Sequence, residues 1–174
     1  MTPDERAAIL AALHGPHVSA PTREALLARL DARYERRYFT DAEFGVLRAA
    51  AVRLVPHDPQ EMDLSGLVDD RLHAGRTDGW RYAAAPPDGE AYRALLAWLP
   101  AGFAALDGSG QDDALRDAQG AHPHAFEDLL AELTEGFMAH PLTAYRFGYA
   151  GFMDVPGWQV APDAFEEREV TYGP

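Results

Sequence analysis

The stretch FTDAEFGVLRAAAVRLVP, residues 39–56, gives the strongest structural signal in the chain. Thr40 and Glu43 have the spacing of a capping box, in which each side chain hydrogen-bonds the backbone N–H of the other residue at a helix start. Phe39 and Phe44 stand on either side of this cap, where their contact fixes how the chain enters the helix. The apolar residues that follow recur at helical spacing and stop before a proline: Phe44, Leu47, Ala51, Leu54 and Val55. The stretch therefore predicts an amphipathic helix that begins directly after Thr40.

Capping residues and apolar stripes recur along the rest of the chain. At the N-terminus, Thr2 and Glu5 form a second capping box, with Pro3 at the first helical position. Pro100 interrupts another apolar stripe, and we expect it to kink or divide that helix because proline lacks a backbone N–H. Together these patterns predict six main helices, over residues 3–14, 22–36, 41–55, 61–73, 90–106 and 123–139.

The remaining segments predict irregular structure. The stretch LDGSGQDD, residues 106–113, is typical of a turn-rich surface loop, with Asp112 and Asp113 at the start of a short helix. Helical periodicity fades from His140 onward, and no strand pattern of comparable strength occurs anywhere. We therefore expect an all-α fold, namely a single-domain helical bundle of five or six main helices with an irregular aromatic C-terminal extension.

The composition limits the partners and the chemistry of the chain. Its 174 residues fit one domain and have a formal net charge of −13. This charge repels phosphate backbones and anionic membranes, so nucleic acid is not an expected partner. The absence of cysteine excludes disulfides, thiolate metal sites and cysteine nucleophiles. No apolar stretch approaches the roughly 18–20 residues of a membrane span. No signal peptide is recognisable, so we expect a cytoplasmic protein without membrane insertion.

The seven histidines raise the question of a metal site, but their positions argue against one. His14 and His17 are separated by a Gly-Pro pair, which breaks any helix that would align them. His122 and His124 flank a proline at a predicted helix start, where capping is the simpler role. None of the three serines sits in a nucleophile elbow, and no glycine-rich loop has a phosphate-binding pattern. The residues therefore predict no catalytic site and no bound flavin, haem or metal.

Residues 136–158, GFMAHPLTAYRFGYAGFMDVPGW, are unusually aromatic. They hold six aromatic side chains: Phe137, Tyr145, Phe147, Tyr149, Phe152 and Trp158. One interpretation is that these rings close the helical core from outside. The other is that part of this surface is a docking patch, because aromatic anchors are enriched in interface hot spots. Both interpretations hold if some rings point into the core and others point toward solvent.

Three stretches of the chain resemble the gluconate 2-dehydrogenase subunit 3 family, the small subunits that accompany large flavin-dependent dehydrogenases of the glucose–methanol–choline (GMC) type. Residues 39–58 look like the family's opening helix, which runs into a proline-marked turn. Residues 95–107, LLAWLPAGFAALD, are similar to its central segment. The ending FGYAGFMDVPGW, residues 147–158, is similar to its Tyr-Gly-Gly-Asn…Gly-Trp signature, but Ala150 and Phe152 replace the usual glycine and asparagine.

The resemblance also suggests how the chain is organised. It covers residues 39–165, which we take as the family-like core of a single domain formed by residues 1–174. Residues 1–38 are then an N-terminal helical hairpin specific to this branch, and residues 166–174 are a tail. Many family members have a twin-arginine export signal, which is not recognisable here. The resemblance therefore implies a cytoplasmic branch.

What the resemblance implies for function is an accessory role. Such subunits bind, stabilise or help to mature a large flavoprotein that oxidises a sugar or similar alcohol, so FAD is expected in the partner and no cofactor in this chain. We expect the aromatic C-terminal segment to contact this partner, with aromatic and proline anchors, glycines at the turns and an aspartate at the rim. The predicted interface is Tyr149, Gly151, Phe152, Asp154, Pro156, Gly157 and Trp158.

Two other functions stay open at this stage. The chain could be a stand-alone helical binding or regulatory protein that does not pair with an oxidoreductase. A less favoured alternative is a free-standing metal-dependent or hydrolytic helical enzyme, whose candidate residues are His57, His73, His122, His124 and His140.

Overall fold

The computed structural model describes residues 1–77 and 85–149 of the chain. These ranges contain the α-helices α1 (Pro3–Leu13), α2 (Ala20–Leu30), α3 (Asp41–Leu54), α4 (Leu64–His73), α5 (Asp88–Trp98), α6 (Gly108–Ala121), α7 (Pro123–Met138) and α8 (Pro141–Arg146). They also contain one short 3-10 helix, Phe103–Ala105, and no strand. The predicted all-α, single-domain fold class is confirmed for this part of the chain. Within the same ranges, no helix has the length and apolar character that crossing a membrane requires.

The two predicted capping boxes are both present. The Thr40 hydroxyl accepts the N–H of Glu43 at 3.3 Å, and the N–H of Thr40 donates to the Glu43 carboxylate at 2.8 Å. Thr2 and Glu5 form the same reciprocal pair at the start of α1, with distances of 3.1 and 2.7 Å. Phe39 is buried in the core next to the start of α3. Because each cap contributes about 1 kcal/mol, these local contacts define where α1 and α3 begin.

The predicted second helix is wrong at its C-terminal end. α2 ends at Leu30, and the chain stays non-helical from there to α3. The carboxylate of Asp69, in α4, is fully buried. It accepts the backbone N–H groups of Arg37, Tyr38 and Phe39 at 2.6, 3.1 and 2.9 Å. Because these amides donate to Asp69, they are not available for a helical ladder.

The predicted LDGSGQDD loop is also wrong, because most of this stretch belongs to α6. Asp107 caps the helix by accepting a backbone N–H at 2.8 Å. Leu115 and Ala118 on its inner face are buried in the core. Arg53 of α3 binds Asp112 through two hydrogen bonds of 2.6 Å. This packing and pairing outweigh the low helix propensity of the two glycines in the first turn.

Pro100 divides the helix predicted over residues 90–106, as expected. α5 ends at Trp98, and the next residue is extended. The chain then turns through Gly102, whose φ of 80° is in the left-handed region that glycine adopts without strain. This turn directs Phe103 back into the core, where its ring is fully buried.

The buried apolar side chains form two clusters. The larger lies between α3, α4, α5, α6 and α7. The smaller joins α1 and α2 to α8 through Ile9, Leu13, Leu26, Leu30 and Leu142. α8 therefore covers the apolar faces of the two N-terminal helices.

Candidate partner-binding surface

Of the seven predicted interface residues, the structure describes Tyr149 alone, three residues after the end of α8. Gly151, Phe152, Asp154, Pro156, Gly157 and Trp158 lie outside the described residues. The segment that leads to Tyr149 was expected to be irregular, and this prediction is wrong, because residues 141–146 form α8. With six residues, α8 is too short to show a helical period in the sequence.

The N-terminal end of α8 is fixed by burial and by a histidine cap. Leu142 and Ala144 are buried, and the Nδ1 atom of His140 accepts the N–H of Leu142 at 3.2 Å. His140 also hydrogen-bonds the backbone of Arg29 at the end of α2. Burial lowers the pKa of His140 from 6.5 to about 4, so the ring is neutral at pH 7.

The C-terminal end of α8 is fixed by charge. Arg146 binds Glu61 at 2.7 and 2.9 Å and Glu5 of α1 at 2.9 Å. The hydrogen bonds from Arg146 lower the pKa of each carboxyl group to about 2. All three groups are therefore charged at neutral pH. Ion pairs at this degree of exposure contribute little stability each, but together they fix the position of α8 beside α1.

The chain leaves α8 through a Schellman turn. Gly148 has a φ of 66°, as the left-handed position of this turn requires. The N–H of Gly148 donates to the carbonyl of Tyr145 at 3.0 Å, and the N–H of Tyr149 donates to the carbonyl of Ala144 at 2.8 Å. These two bonds satisfy the last helical carbonyls and fix the backbone that bears Tyr149.

Three aromatic rings project from this fixed backbone. The exposed fractions are 44% for Tyr145, 67% for Phe147 and 60% for Tyr149. Phe147 contacts Phe137 of α7 edge-on, with ring centroids 6.4 Å apart. An apolar groove of about 480 Å³ is lined by Tyr145 and Tyr149 and by Ile9 of α1. We call the three rings and this groove the aromatic surface.

A partly buried polar cluster crosslinks α4, α5 and α7, and no sequence motif marks it because its members are far apart in the chain. Arg71 binds Glu132 at 2.6 and 2.8 Å and Asp88 at 2.8 Å. The Tyr92 hydroxyl donates to Glu132 at 3.0 Å. Burial raises the pKa of Tyr92, so this phenol stays protonated. Burial alone would lower the pKa of Arg71, but its bonds to Glu132 and Asp88 raise it overall. Because each charge has a partner, we interpret the cluster as structural.

The five candidate histidines do not converge on one site. They lie in separate parts of the fold: His57 after α3, His73 at the end of α4, His122 and His124 where α6 meets α7, and His140 before α8. Across residues 1–77 and 85–149, no group of three or more histidine, aspartate or glutamate side chains is placed to hold a metal ion. This part of the chain therefore contains no metal site that would support the alternative of a metal-dependent enzyme.

The aromatic surface has the features of a binding site for another protein. It combines exposed rings on a fixed backbone with an adjacent apolar groove, and aromatic side chains are enriched in interface hot spots. The chain matches no family model, no curated protein and no solved structure.

Proposed function

We propose that the chain is a non-catalytic accessory subunit that binds and stabilises a large FAD-dependent sugar or alcohol dehydrogenase of the GMC type. The aromatic surface contacts this partner, together with the residues that follow Tyr149. The observation that supports the proposal most is the exposure of three aromatic rings on a backbone that is fixed at both ends of α8. The flavin and the redox chemistry belong to the partner.

The exposed hydrophobic side chains are concentrated rather than scattered. Among the described residues, six large hydrophobic side chains are exposed, and four of them lie between residues 138 and 149. Single exposed hydrophobic residues are normal on protein surfaces, whereas a group of them favours an interaction site. Covering apolar surface gains about 25 cal/mol per Å², so a partner that covers these rings gains affinity from them.

The backbone under the rings is held by contacts within the chain itself. The His140 cap, the Arg146 ion pairs and the Schellman turn at Gly148 hold it in place. Binding therefore loses little conformational entropy at this site, and more of the buried area appears as affinity. This favours a stable subunit contact over a brief encounter.

The identity of the partner is inferred from the residue patterns of the chain. Residues 39–58, 95–107 and 147–158 resemble the accessory subunits of GMC-type dehydrogenases. The net charge of −13 further favours a partner with a basic surface around the contact, since opposite charges speed association.

The test is a search beside the gene of this chain for a large flavoprotein dehydrogenase, followed by co-expression, co-purification and measurement of the Kd. The double variant Phe147→Ala/Tyr149→Ala removes two anchors, and we expect the Kd to rise roughly thirtyfold or more. Trp98→Ala is the matched control, because Trp98 is 55% exposed but lies at the end of α5. It should leave the Kd unchanged.

Melting temperatures of the free variants complete the design, because Phe147 also contacts Phe137. A double variant that binds as tightly as the wild type would remove the support for the aromatic surface. If the chain co-purifies with no flavoprotein and is stable alone, the stand-alone binding protein becomes the better explanation.

A further inference from the structure

The apolar groove of the aromatic surface differs in composition from the rest of the chain. It has a volume of about 480 Å³, which is within the range of binding clefts. Charged residues make up 25% of the chain, yet the described residues that line the groove include no aspartate, glutamate, lysine or arginine. Ile9, Leu13 and Val18 of the lining are buried, whereas Ala12 is exposed. The groove therefore suits an apolar occupant without charge.

The chain leaves α8 at this groove. Tyr145, Gly148 and Tyr149 all belong to the lining, and the Schellman turn fixes the backbone at this point. An extended chain spans at most about 3.3–3.6 Å per residue, so Phe152 can lie up to roughly 10 Å from Tyr149, and Trp158 up to roughly 30 Å. The residues that follow Tyr149 are therefore long enough to cover a groove of this volume.

Residues 150–158, AGFMDVPGW, have the composition that the groove requires. Asp154 is their one charged residue, and their apolar side chains include Phe152, Met153 and Trp158. Residues 159–174, in contrast, include five charged residues. The chemical match is therefore confined to the nine residues that directly follow Tyr149.

Covalent attachment favours this occupant over a separate molecule. A segment tethered close to its binding site has an effective concentration on the order of millimolar. Covering apolar surface gains about 25 cal/mol per Å², and large apolar patches are rarely left uncovered. A second copy is a poorer occupant, because two chains with a net charge of −13 each repel one another.

We propose that residues 150–158 fold back and occupy the apolar groove of the same chain, with Phe152 and Trp158 as the anchors. The contact forms within one chain and needs no flavoprotein. A partner that uses the groove has to displace this segment first, and this consequence alone rests on the proposed function. The segment therefore competes with the partner for the aromatic surface.

The experiment places a nitroxide spin label on the full chain at Asp154→Cys, a unique site because the chain has no cysteine of its own. The label broadens the amide signals of residues that lie near it. We expect residues 8–13 of α1 to lose most of their signal intensity, whereas residues 108–121 of α6 keep theirs. Full intensity at residues 8–13 would overturn the proposal.

Two variants of α1 separate binding in the groove from proximity to Tyr149. Ala12→Arg places a large charged side chain in the groove and should restore most of the intensity at residues 8–13. Ala11→Arg is the matched control and should leave the broadening in place, because Ala11 is exposed on the same helix but does not line the groove. Since both positions are exposed, neither change should alter the Tm. Equal intensities in the two variants would contradict the proposal.

A mixed sample distinguishes a contact within one chain from a contact between two copies. It combines isotope-labelled wild-type chain with spin-labelled chain that has no isotope label. We expect full intensity at residues 8–13 of the wild-type chain. Broadening there would show that the segment of a second copy occupies the groove, and it would overturn the contact within one chain. None of these measurements involves the flavoprotein, so they can fail while the proposed function holds.

Discussion

Replacing Asp69 tests whether one buried carboxylate sets the path of the chain between α2 and α3. Its Oδ2 atom accepts the N–H of Arg37 at 2.6 Å, and its Oδ1 atom accepts that of Phe39 at 2.9 Å. Both oxygens share the N–H of Tyr38 at 3.1 Å. In Asp69→Asn, one oxygen becomes an amide nitrogen that carries hydrogens toward a backbone donor. At least one buried N–H therefore loses its acceptor.

The magnitude follows from the number of donors left unpaired. One unsatisfied buried donor costs about 1–3 kcal/mol, so we expect Asp69→Asn to lower the free energy of unfolding by about 2–3 kcal/mol. Asp69→Ala leaves three donors without this acceptor, and we expect a loss of roughly 3–5 kcal/mol. This is a large part of the about 5–15 kcal/mol by which most domains are stable. In a chain of this length, each kcal/mol lowers the Tm by roughly 2–4 °C.

The assay is urea unfolding followed by circular dichroism, with the m-value checked for constancy. Asp70→Asn is the matched control, because the adjacent carboxylate binds Arg37 and Arg76 near the surface. Ion pairs of this kind contribute about 0–1 kcal/mol, so the control should be close to wild type. If Asp69→Asn and Asp70→Asn are equally stable, the reasoning about the buried carboxylate is refuted.

Two further predictions concern protonation and helix packing. Burial lowers the pKa of His140 from 6.5 to about 4 in the folded state. Between these pH values the unfolded chain therefore binds more protons than the folded chain. The free energy of unfolding should fall by roughly 3 kcal/mol as the pH is lowered from 6.5 to 4. His140→Asn should remove this part of the pH dependence, whereas His73→Asn, a control at an exposed position, should retain it. Both variants are measured by urea unfolding at pH 7 and at pH 4.5. Gly45→Ala should raise the free energy of unfolding by about 0.5–1 kcal/mol, because its new Cβ meets nothing within 4 Å in α3. Gly89→Ala should lower the free energy of unfolding by about 1–3 kcal/mol, because the new Cβ would clash with the ring and hydroxyl of Tyr38. Equal melting curves for Gly45→Ala and Gly89→Ala would contradict this difference.

The sequence predicts best those features that depend on near neighbours in the chain. The caps at Thr2 and Thr40 and the break at Pro100 are each decided within a few residues, and all three are confirmed. The path of the chain between α2 and α3 depends instead on Asp69, which lies 30 to 32 positions away from the amides it binds. No local pattern contains that contact. The same holds for α6, whose glycine-rich start is stabilised by packing and by Arg53 of α3.

The candidate site, too, is only partly predictable from the sequence. The aromatic content around Tyr149 is visible in the sequence, which leaves open whether its rings point inward or outward; in the structure Tyr145, Phe147 and Tyr149 are exposed. The exposure of each ring depends on the turn at Gly148 and on the contact of Phe147 with α7. Both features form only in the folded chain and are not visible in the sequence.

The smaller apolar cluster has a consequence for the order of folding during synthesis. Its members on α1 and α2 are translated first, but the ion pair between Glu5 and Arg146 spans 141 positions. At about 5–20 residues per second, the ribosome needs roughly 7–30 seconds between these two residues. From the synthesis of Leu30 until that of Leu142, Leu26 and Leu30 lack the cover that Leu142 later provides. Docking of α8 is therefore a late step, and a nascent chain stalled before residue 141 exposes this hairpin to chaperones and proteases.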